Sequence, residues 1–176
     1  MELAKGKLTS DPSRHSGEGI FFTSRACDEF FILSNGLTFT YAMTKDLIFE
    51  NEFAKKGTCV VMIINLNSSK QLVDVFNKFS DDENQGFTKT TIPVHLMKHE
   101  GMELISRSQA KRLITRFDMF NEVLLDFDGI ELIGQAFADE LFRVFVNNHP
   151  NVNLQRINAS QDVEKMILHV LNSNKN

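Results

Sequence analysis

Hydrophobic residues along this chain follow two alternating patterns: short continuous runs, and sets spaced three or four residues apart. The clearest run is Val123 to Phe127, which has the length of a strand and is closed by the turn residues Asp128-Gly129. The next apolar residues recur with the spacing of one helix face, and they are Ile133, Phe137, Leu141, Val144 and Phe145. The pattern predicts a strand, a turn and a buried helix, with Asp139 and Arg143 as an exposed, weakly stabilising pair on that helix.

The rest of the second half repeats this alternation. Ser106 and Gln109 have the spacing of a capping box and predict the start of a helix. The remaining predicted elements are a strand at 90–97 that tolerates Pro93 best at a sheet edge, a short strand at 103–105, a strand at 152–157 and a final helix around 163–171. Strands that alternate with helices predict an open α/β sheet with right-handed crossovers.

The first half predicts a different arrangement. A helix is expected at about 19–29, followed by two strands around Asn35-Gly36, which is a strong hairpin signal. No element is predicted in the mixed-charge stretch 45–56. The apolar run 59–64 suits a strand that is covered on both faces, and a helix should follow Ser68 or Ser69.

A polar stretch from Ser80 to Gly86 interrupts all of these patterns. We therefore expect two regions, residues 1–80 and residues 86–176.

Composition and charge limit the classes of function. The net charge is −4, and neither half has the excess of cations that nucleic-acid binding needs, so no nucleic-acid partner is expected. No apolar run approaches the length of a membrane span and no signal peptide is evident, so we expect a cytoplasmic protein without a membrane partner. Cys27 and Cys59 lie in apolar surroundings without metal-ligand spacing, which predicts buried, reduced thiols and no metal site.

The segment from Glu122 to Phe145 resembles the central segment of STAS domains, the fold of bacterial anti-sigma-factor antagonists. It is more similar still to STAS-like domains of unassigned function, which carry much the same run as residues 133–145, often behind an ATPase domain. The resemblance implies a signalling role without catalytic residues, in which a protein partner, an ATPase or kinase, binds around the turn into the central helix. That surface comprises Gly134, Gln135, Ala136, Phe137 and Asp139. No hydroxyl stands where STAS antagonists carry their phosphoacceptor serine, so switching by phosphorylation is not expected there.

Residues 1–79 resemble the back half of the GHKL ATPase fold of histidine kinases and anti-sigma kinases. The resemblance rests on Gly17-x-Gly19-Ile20 before a helix, then a hairpin, then Gly57-Thr58 before an apolar strand. It implies that Gly17, Gly19, Gly57 and Thr58 are phosphate-binding positions, because backbone N–H groups at a helix start can hold phosphate. The front half, with its catalytic Glu, Mg-coordinating Asn and adenine-reading box, has no counterpart before Gly17.

The predicted fold is therefore α/β, with a STAS-like open sheet and flanking helices preceded by a partial GHKL-type sandwich. Mg-ATP is expected as a cofactor only if the missing half is supplied. The alternative function is an ATP-binding protein, a GHKL ATPase or protein serine kinase, whose front half is missing from this chain. An incomplete sheet would also leave an apolar face and a strand edge open, which favours a homodimer or pairing with another chain.

Two further candidates are open. Asp126, Asp128, Asp139 and Glu140 are acids that could serve a metal or acid/base site, although acids at strand ends and helix surfaces are usually solvated or capping. The second candidate is a locally basic helix formed by Arg107, Lys111, Arg112 and Arg116. It could bind an acidic partner, a phosphate or, as a third reading, nucleic acid, but these residues spread over the polar face as in an ordinary solvated helix.

Overall fold

The computed structural model describes residues 2–11, 13–52, 56–80, 86–98 and 103–173. The chain divides into two compact units, unit 1 (Met1–Phe87) and unit 2 (Thr88–Asn176). Most of the polar stretch on which the sequence places a boundary, residues 81–85, lies outside the described residues.

Unit 1 combines short helices with antiparallel strands. Its elements are α1 (Glu2–Lys5), α2 (Gly19–Ala26), β1 (Glu29–Ser34), β2 (Leu37–Ala42), β3 (Lys45–Glu50), β4 (Thr58–Ile63) and α3 (Leu72–Lys78). The strands form a four-stranded sheet in the order β3-β2-β1-β4.

The predicted hairpin between β1 and β2 is confirmed. Asn35 and Gly36 have φ values of 49° and 76°, the left-handed pair that a type I′ turn requires. A second hairpin joins β2 to β3 through Met43 and Thr44, whose φ values are 49° and 65°. This second hairpin was missed, because neither residue is a typical left-handed turn residue and the strand that follows is charged at both ends.

The core of unit 1 is built largely from phenylalanine. Phe21 on α2 contacts Phe79 and Phe87, with ring centroids 4.9 and 4.6 Å apart. Phe22 lies 4.5 Å from Phe76 on α3 and so joins the two helices. Aromatic clusters of this kind add about 0.5–1.5 kcal/mol per pair beyond burial.

β4 differs from the prediction. A strand is present where the apolar run predicts one, but all six of its residues are exposed, so the expected coverage on both faces is wrong for the described part of the chain. Met62 is 57% exposed and Val60 is 49% exposed. The described residues leave both faces of β4 uncovered, and β4 is also an outer strand, paired with β1 in the described sheet.

Unit 2 alternates strands with helices. Its elements are β5 (Lys89–Pro93), a 3₁₀ helix (Val94–Met97), α4 (Arg107–Ile114), a second 3₁₀ helix (Phe117–Met119), β6 (Glu122–Asp126), α5 (Gln135–Asp139), a π-helical segment (Glu140–Phe145), α6 (Val146–Asn148), β7 (Asn153–Ile157) and α7 (Gln161–Asn172). The short strand predicted at 103–105 is reduced to a single parallel bridge between Leu104 and Ile133.

The sheet of unit 2 is parallel, with the order β5-β6-β7. Val123 and Leu125 of the central strand are fully buried, as are Ile92 of β5 and Val163 and Ile167 of α7. Pro93 is the last residue of β5, which is an edge strand of the described sheet, so the prediction of an edge position is confirmed. Both units are thus mixed α/β with open sheets, as the sequence predicts.

Helix ends in unit 2 follow their sequence signals. Ser106 and Gln109 form the predicted capping box, each side chain bonding the other residue's backbone. Ser160 caps α7 by accepting from Val163 N–H at 3.2 Å. No helix in the described ranges combines the length and apolar character that crossing a bilayer requires.

Candidate functional site

The turn into the central helix of unit 2 is held against the segment before α4. Gly134 N–H donates to Leu104 O at 2.8 Å. A Cβ at Gly134 would lie 2.7 Å from Ile105 Cα, a separation that real side chains essentially never show. Gly134 is therefore explained by close packing of two backbones, and the same packing fixes where the next residues emerge.

We call residues 134–139 the turn surface. Gln135 is exposed and Ala136 is half-buried, whereas Phe137 is fully buried. Phe137 cannot touch a partner from this position, because its ring lies in the core of unit 2. Within the turn surface, Gln135 presents the polar group and Phe137 anchors the helix beneath it.

Asp139 is more constrained than the sequence suggests. Its side chain is only 14% exposed, and its carboxylate accepts from Arg143 Nε, from Arg143 Nη2 at 2.8 Å and from Arg107 Nη2 at 3.0 Å. The expectation that the pair with Arg143 is exposed is therefore wrong for Asp139. The bonds from Arg143, with further help from the charge of Arg107, hold the pKa of Asp139 below its ordinary value.

Arg107 gives the basic face of α4 a structural role. By pairing with Asp139 it links α4 to α5, while Lys111 and Arg112 remain exposed on the helix. The solvated face expected from the helical positions is observed at these two residues.

The central helix contains a feature that the sequence did not reveal. Residues Glu140–Phe145 are π-helical, and the helix continues with α6 beyond them. π segments often occur at functional sites, because they shift the side chains that follow. Glu140 begins this segment and is only 5% exposed. Helical periodicity gives no signal for it, because Phe137, Leu141 and Phe145 satisfy an ordinary α-helical pattern.

The acids at the end of β6 have structural partners. Asp126 Oδ1 accepts from Asp128 N–H at 3.0 Å and from Asn158 Nδ2 at 2.9 Å, which fastens the turn to the end of β7. In the described part of the chain, no group of three or more His, Cys, Asp or Glu residues could hold a metal ion.

Two of the four predicted phosphate-binding residues meet at one cavity in unit 1. Gly17 and Gly19 line a space of about 200 Å³ beside the start of α2, with Leu3, Gly6, Leu8, Ile20 and Phe21 as the other lining residues. The lining carries no charged side chain. Gly17 has φ +73°, and a Cβ there would lie 2.6 Å from Leu8 backbone atoms, so close packing already requires this glycine.

Gly57 and Thr58 lie elsewhere, at the start of β4. Thr58 Oγ1 is 3.1 Å from Ser34 Oγ, which joins the ends of β1 and β4. Neither residue lines the cavity beside α2, so the structure brings together Gly17 and Gly19 but does not add this second pair to them.

A second cavity in unit 1 was not foreseen. It has a volume of about 290 Å³ and is lined by Arg25, Tyr41, Ser69, Lys70, Gln71, Asp74, Val75, Lys78 and Phe79. Burial raises the pKa of Tyr41 and lowers that of Arg25. Sequence spacing could not show this cavity, because its lining comes from α2, β2 and the region of α3.

The cysteines differ from each other. Cys27 is buried, as predicted, and burial raises the pKa of its thiol. Cys59 is exposed on β4, so the expectation that both thiols are buried is wrong for this one.

The comparisons with known proteins bear on unit 2. The searches of the curated proteins and of the solved structures each found no match. A family model described as a STAS-like domain of unknown function (DUF4325) matches residues 109–164, which run from α4 into α7. No corresponding finding supports the GHKL half, and the sandwich predicted for residues 1–80 is not shown. Residues 109–164, with the turn surface among them, are thus similar to a STAS-like domain.

Proposed function

We propose that this chain is a non-enzymatic regulatory protein whose unit 2 acts as a STAS-like protein-interaction module. The match of residues 109–164 to a STAS-like family is the observation that carries this proposal. The matched residues include the whole turn surface.

The geometry of the turn surface suits recognition rather than chemistry. Gln135 offers an amide donor and acceptor to a partner, next to the half-buried Ala136. Asp139 is already bonded by Arg143 and Arg107, so it holds the surface in place. The partner that fits the proposal is a protein of the ATPase or kinase class, in the same polypeptide or in another one.

The test begins with a photo-crosslinking residue at position 135, in cells that produce this chain naturally. A matched control carries it at Lys165, which is 64% exposed on α7. A discrete adduct from position 135 and none from position 165 supports the proposal. Gln135→Arg should then weaken the purified complex at least tenfold, while Lys165→Glu leaves it unchanged; equal affinities for the wild type and Gln135→Arg would refute the assignment of this surface.

A second candidate function is ATP binding, with the nucleotide site completed by residues outside this chain. It is favoured by one observation, the cavity that Gly17 and Gly19 line at the start of α2. Calorimetric titration with ATP and Mg²⁺ tests it, with Mg²⁺ alone as the blank. Gly19→Val is the matched variant, because open space surrounds Gly19. Saturating heat that Gly19→Val abolishes supports this function, and a flat trace from folded protein removes it for the isolated chain.

A further inference from the structure

The two edges of the unit 1 sheet differ sharply in character. β3, at one edge, reads Lys-Asp-Leu-Ile-Phe-Glu and carries charges at both ends. β4, at the other edge, reads Thr-Cys-Val-Val-Met-Ile and carries none. Natural sheets protect exposed edges with charges, prolines or bulges, because a bare edge pairs with other strands. β3 has such protection, and β4 lacks it.

The apolar surface continues beyond β4. Its members are exposed by 38–102% of their surface, and they are Val60, Val61, Met62, Ile63, Ile64 and Leu66. We call this set, with Thr58 and Cys59, the β4 edge surface. Within the described residues, β4 pairs with β1 on one side and with no strand on the other. An exposed apolar edge of this kind marks an interaction site.

We propose that the β4 edge surface pairs antiparallel with the same surface of a second copy of this chain. The sequence of β4 is self-complementary in this arrangement. With the twofold axis at Val61, Val61 opposes Val61 of the second copy, Val60 opposes Met62 and Cys59 opposes Ile63. These three pairs bring apolar residues together, Thr58 opposes Ile64, and no like charges meet.

The available area agrees with a reversible dimer. The apolar members of the β4 edge surface expose roughly 350 Å² per chain, taking about 100 Å² for each fully exposed side chain. Two copies together present roughly 700 Å² of apolar surface. Strand pairing covers the part of it that lies along the edge, and the paired backbone and the flanking polar residues add to the buried area. Specific interfaces begin at about 1,000 Å², so we expect a dimer that dissociates on dilution. Closure by a twofold axis, together with the charged β3 edge, stops growth at two copies.

Sedimentation equilibrium of the full chain tests this proposal. The wild type should show twice the monomer mass at high micromolar concentration and should dissociate on dilution. Val61→Lys should weaken the dimer at least tenfold, because two introduced ammonium groups would lie at the centre of the paired strands. Ile48→Lys is the matched control, since Ile48 on β3 is 36% exposed against 38% for Val61. It should leave the dimer intact.

Cys59 gives a second readout that needs no interface variant. Its thiol is exposed in the single chain, whereas Cys27 is buried. The rate at which a bulky maleimide labels Cys59 should therefore fall at least fivefold as chain concentration rises through the dimer range. A wild-type chain that is monomeric at 200 micromolar, or a labelling rate independent of concentration, would overturn the proposal. Equal dissociation by Val61→Lys and Ile48→Lys would also overturn it.

Discussion

Arg25 and Asp46 form an ion pair in the interior of unit 1, with Nη2 2.5 Å from Oδ2 and both side chains no more than 5% exposed. Arg25 also donates to Ser24 Oγ at 2.7 Å, and its guanidinium lies 4.0 Å from the centre of the Phe21 ring. The pair connects α2 to β3, the strand that was not predicted because its sequence is of mixed charge. The mixed-charge stretch 45–56 therefore contains a strand of the sheet, and the side chain of Asp46 in that strand is buried.

Breaking this pair should be costly. Asp46→Asn leaves the Arg25 guanidinium buried without its counter-charge, and we expect a loss of about 3–5 kcal/mol in the free energy of unfolding. The double variant Arg25→Met with Asp46→Leu should recover most of that loss, because it removes both charges. Urea denaturation measures the effect. Asp162→Asn serves as control, since its exposed pair with Lys165 is worth only about 0–1 kcal/mol.

We expect the ionisation of Asp139 to make the stability of the fold depend on pH. Arg143 lowers the pKa of Asp139 in the folded chain, so the ionised carboxylate stabilises the fold above the unfolded pKa of about 3.9. That contribution is lost as the pH falls through the lower folded value. Asp139→Asn should therefore cost about 1–3 kcal/mol at pH 7, and the difference from wild type should shrink below pH 4. Urea midpoints at pH 7, 4 and 3 test this; a constant difference would contradict it.

Gly134 should not tolerate even one methyl group. Gly134→Ala places a Cβ 2.7 Å from Ile105 Cα, and we expect a loss of about 1–3 kcal/mol from the forced backbone shift. The control is Gly19→Ala, which has no atom within 4 Å of the added carbon. Thermal unfolding of the two variants should separate them, and equal melting temperatures would show that the Gly134 contact yields easily.

Variants of Phe137 and Gln135 should differ in their effect on stability, because only Phe137 is needed for folding of the turn surface. Phe137→Ala removes a fully buried ring and should cost about 3–5 kcal/mol in stability. Gln135→Ala changes an exposed side chain and should alter stability by no more than about 0.5 kcal/mol. Chemical denaturation tests both, and a large loss from Gln135→Ala would mean that its amide has a structural role.

The sequence predicted best those elements that have local signals. Asn35-Gly36 specifies its hairpin by backbone preference, and Ser106 with Gln109 specifies the start of α4 by side-chain caps. β3 was not predicted, because the turn before it has no such local signal: Met43 and Thr44 adopt left-handed conformations that their residue types disfavour.

Burial was harder to predict than element type. The apolar run of β4 correctly indicated a strand, but it could not show whether anything covers that strand. A continuous apolar run shows that both faces of a strand can be buried. Whether they are buried depends on other parts of the fold or on other chains. The same limit applies to Cys59, whose apolar neighbours are themselves exposed.

The candidate site followed a similar division. Residues 134–139 lie at the start of the central helix, as the order of strand, turn and helix in the sequence predicts, and partner binding there stays a prediction. The contribution of Arg107 was missed, since it comes from another helix 32 residues away along the chain. Contacts of this length depend on helix packing, for which the sequence holds no local sign.

The π-helical segment changes how the side chains after it are oriented about the axis of the central helix. A π turn accommodates one residue more than an α turn, so side chains after Glu140–Phe145 are rotated relative to those before it by up to about 100°. Phe145 is the last residue of this segment. The centroid of its ring lies 4.3 Å from that of His149, on which it stacks, and 5.7 Å from that of Phe117. Deleting one residue from the segment would restore uniform helical winding and turn this aromatic group away from Phe117. The wider turn thus sets how the residues after it are rotated about the helix axis, by up to about 100° from where a uniform helix would place them.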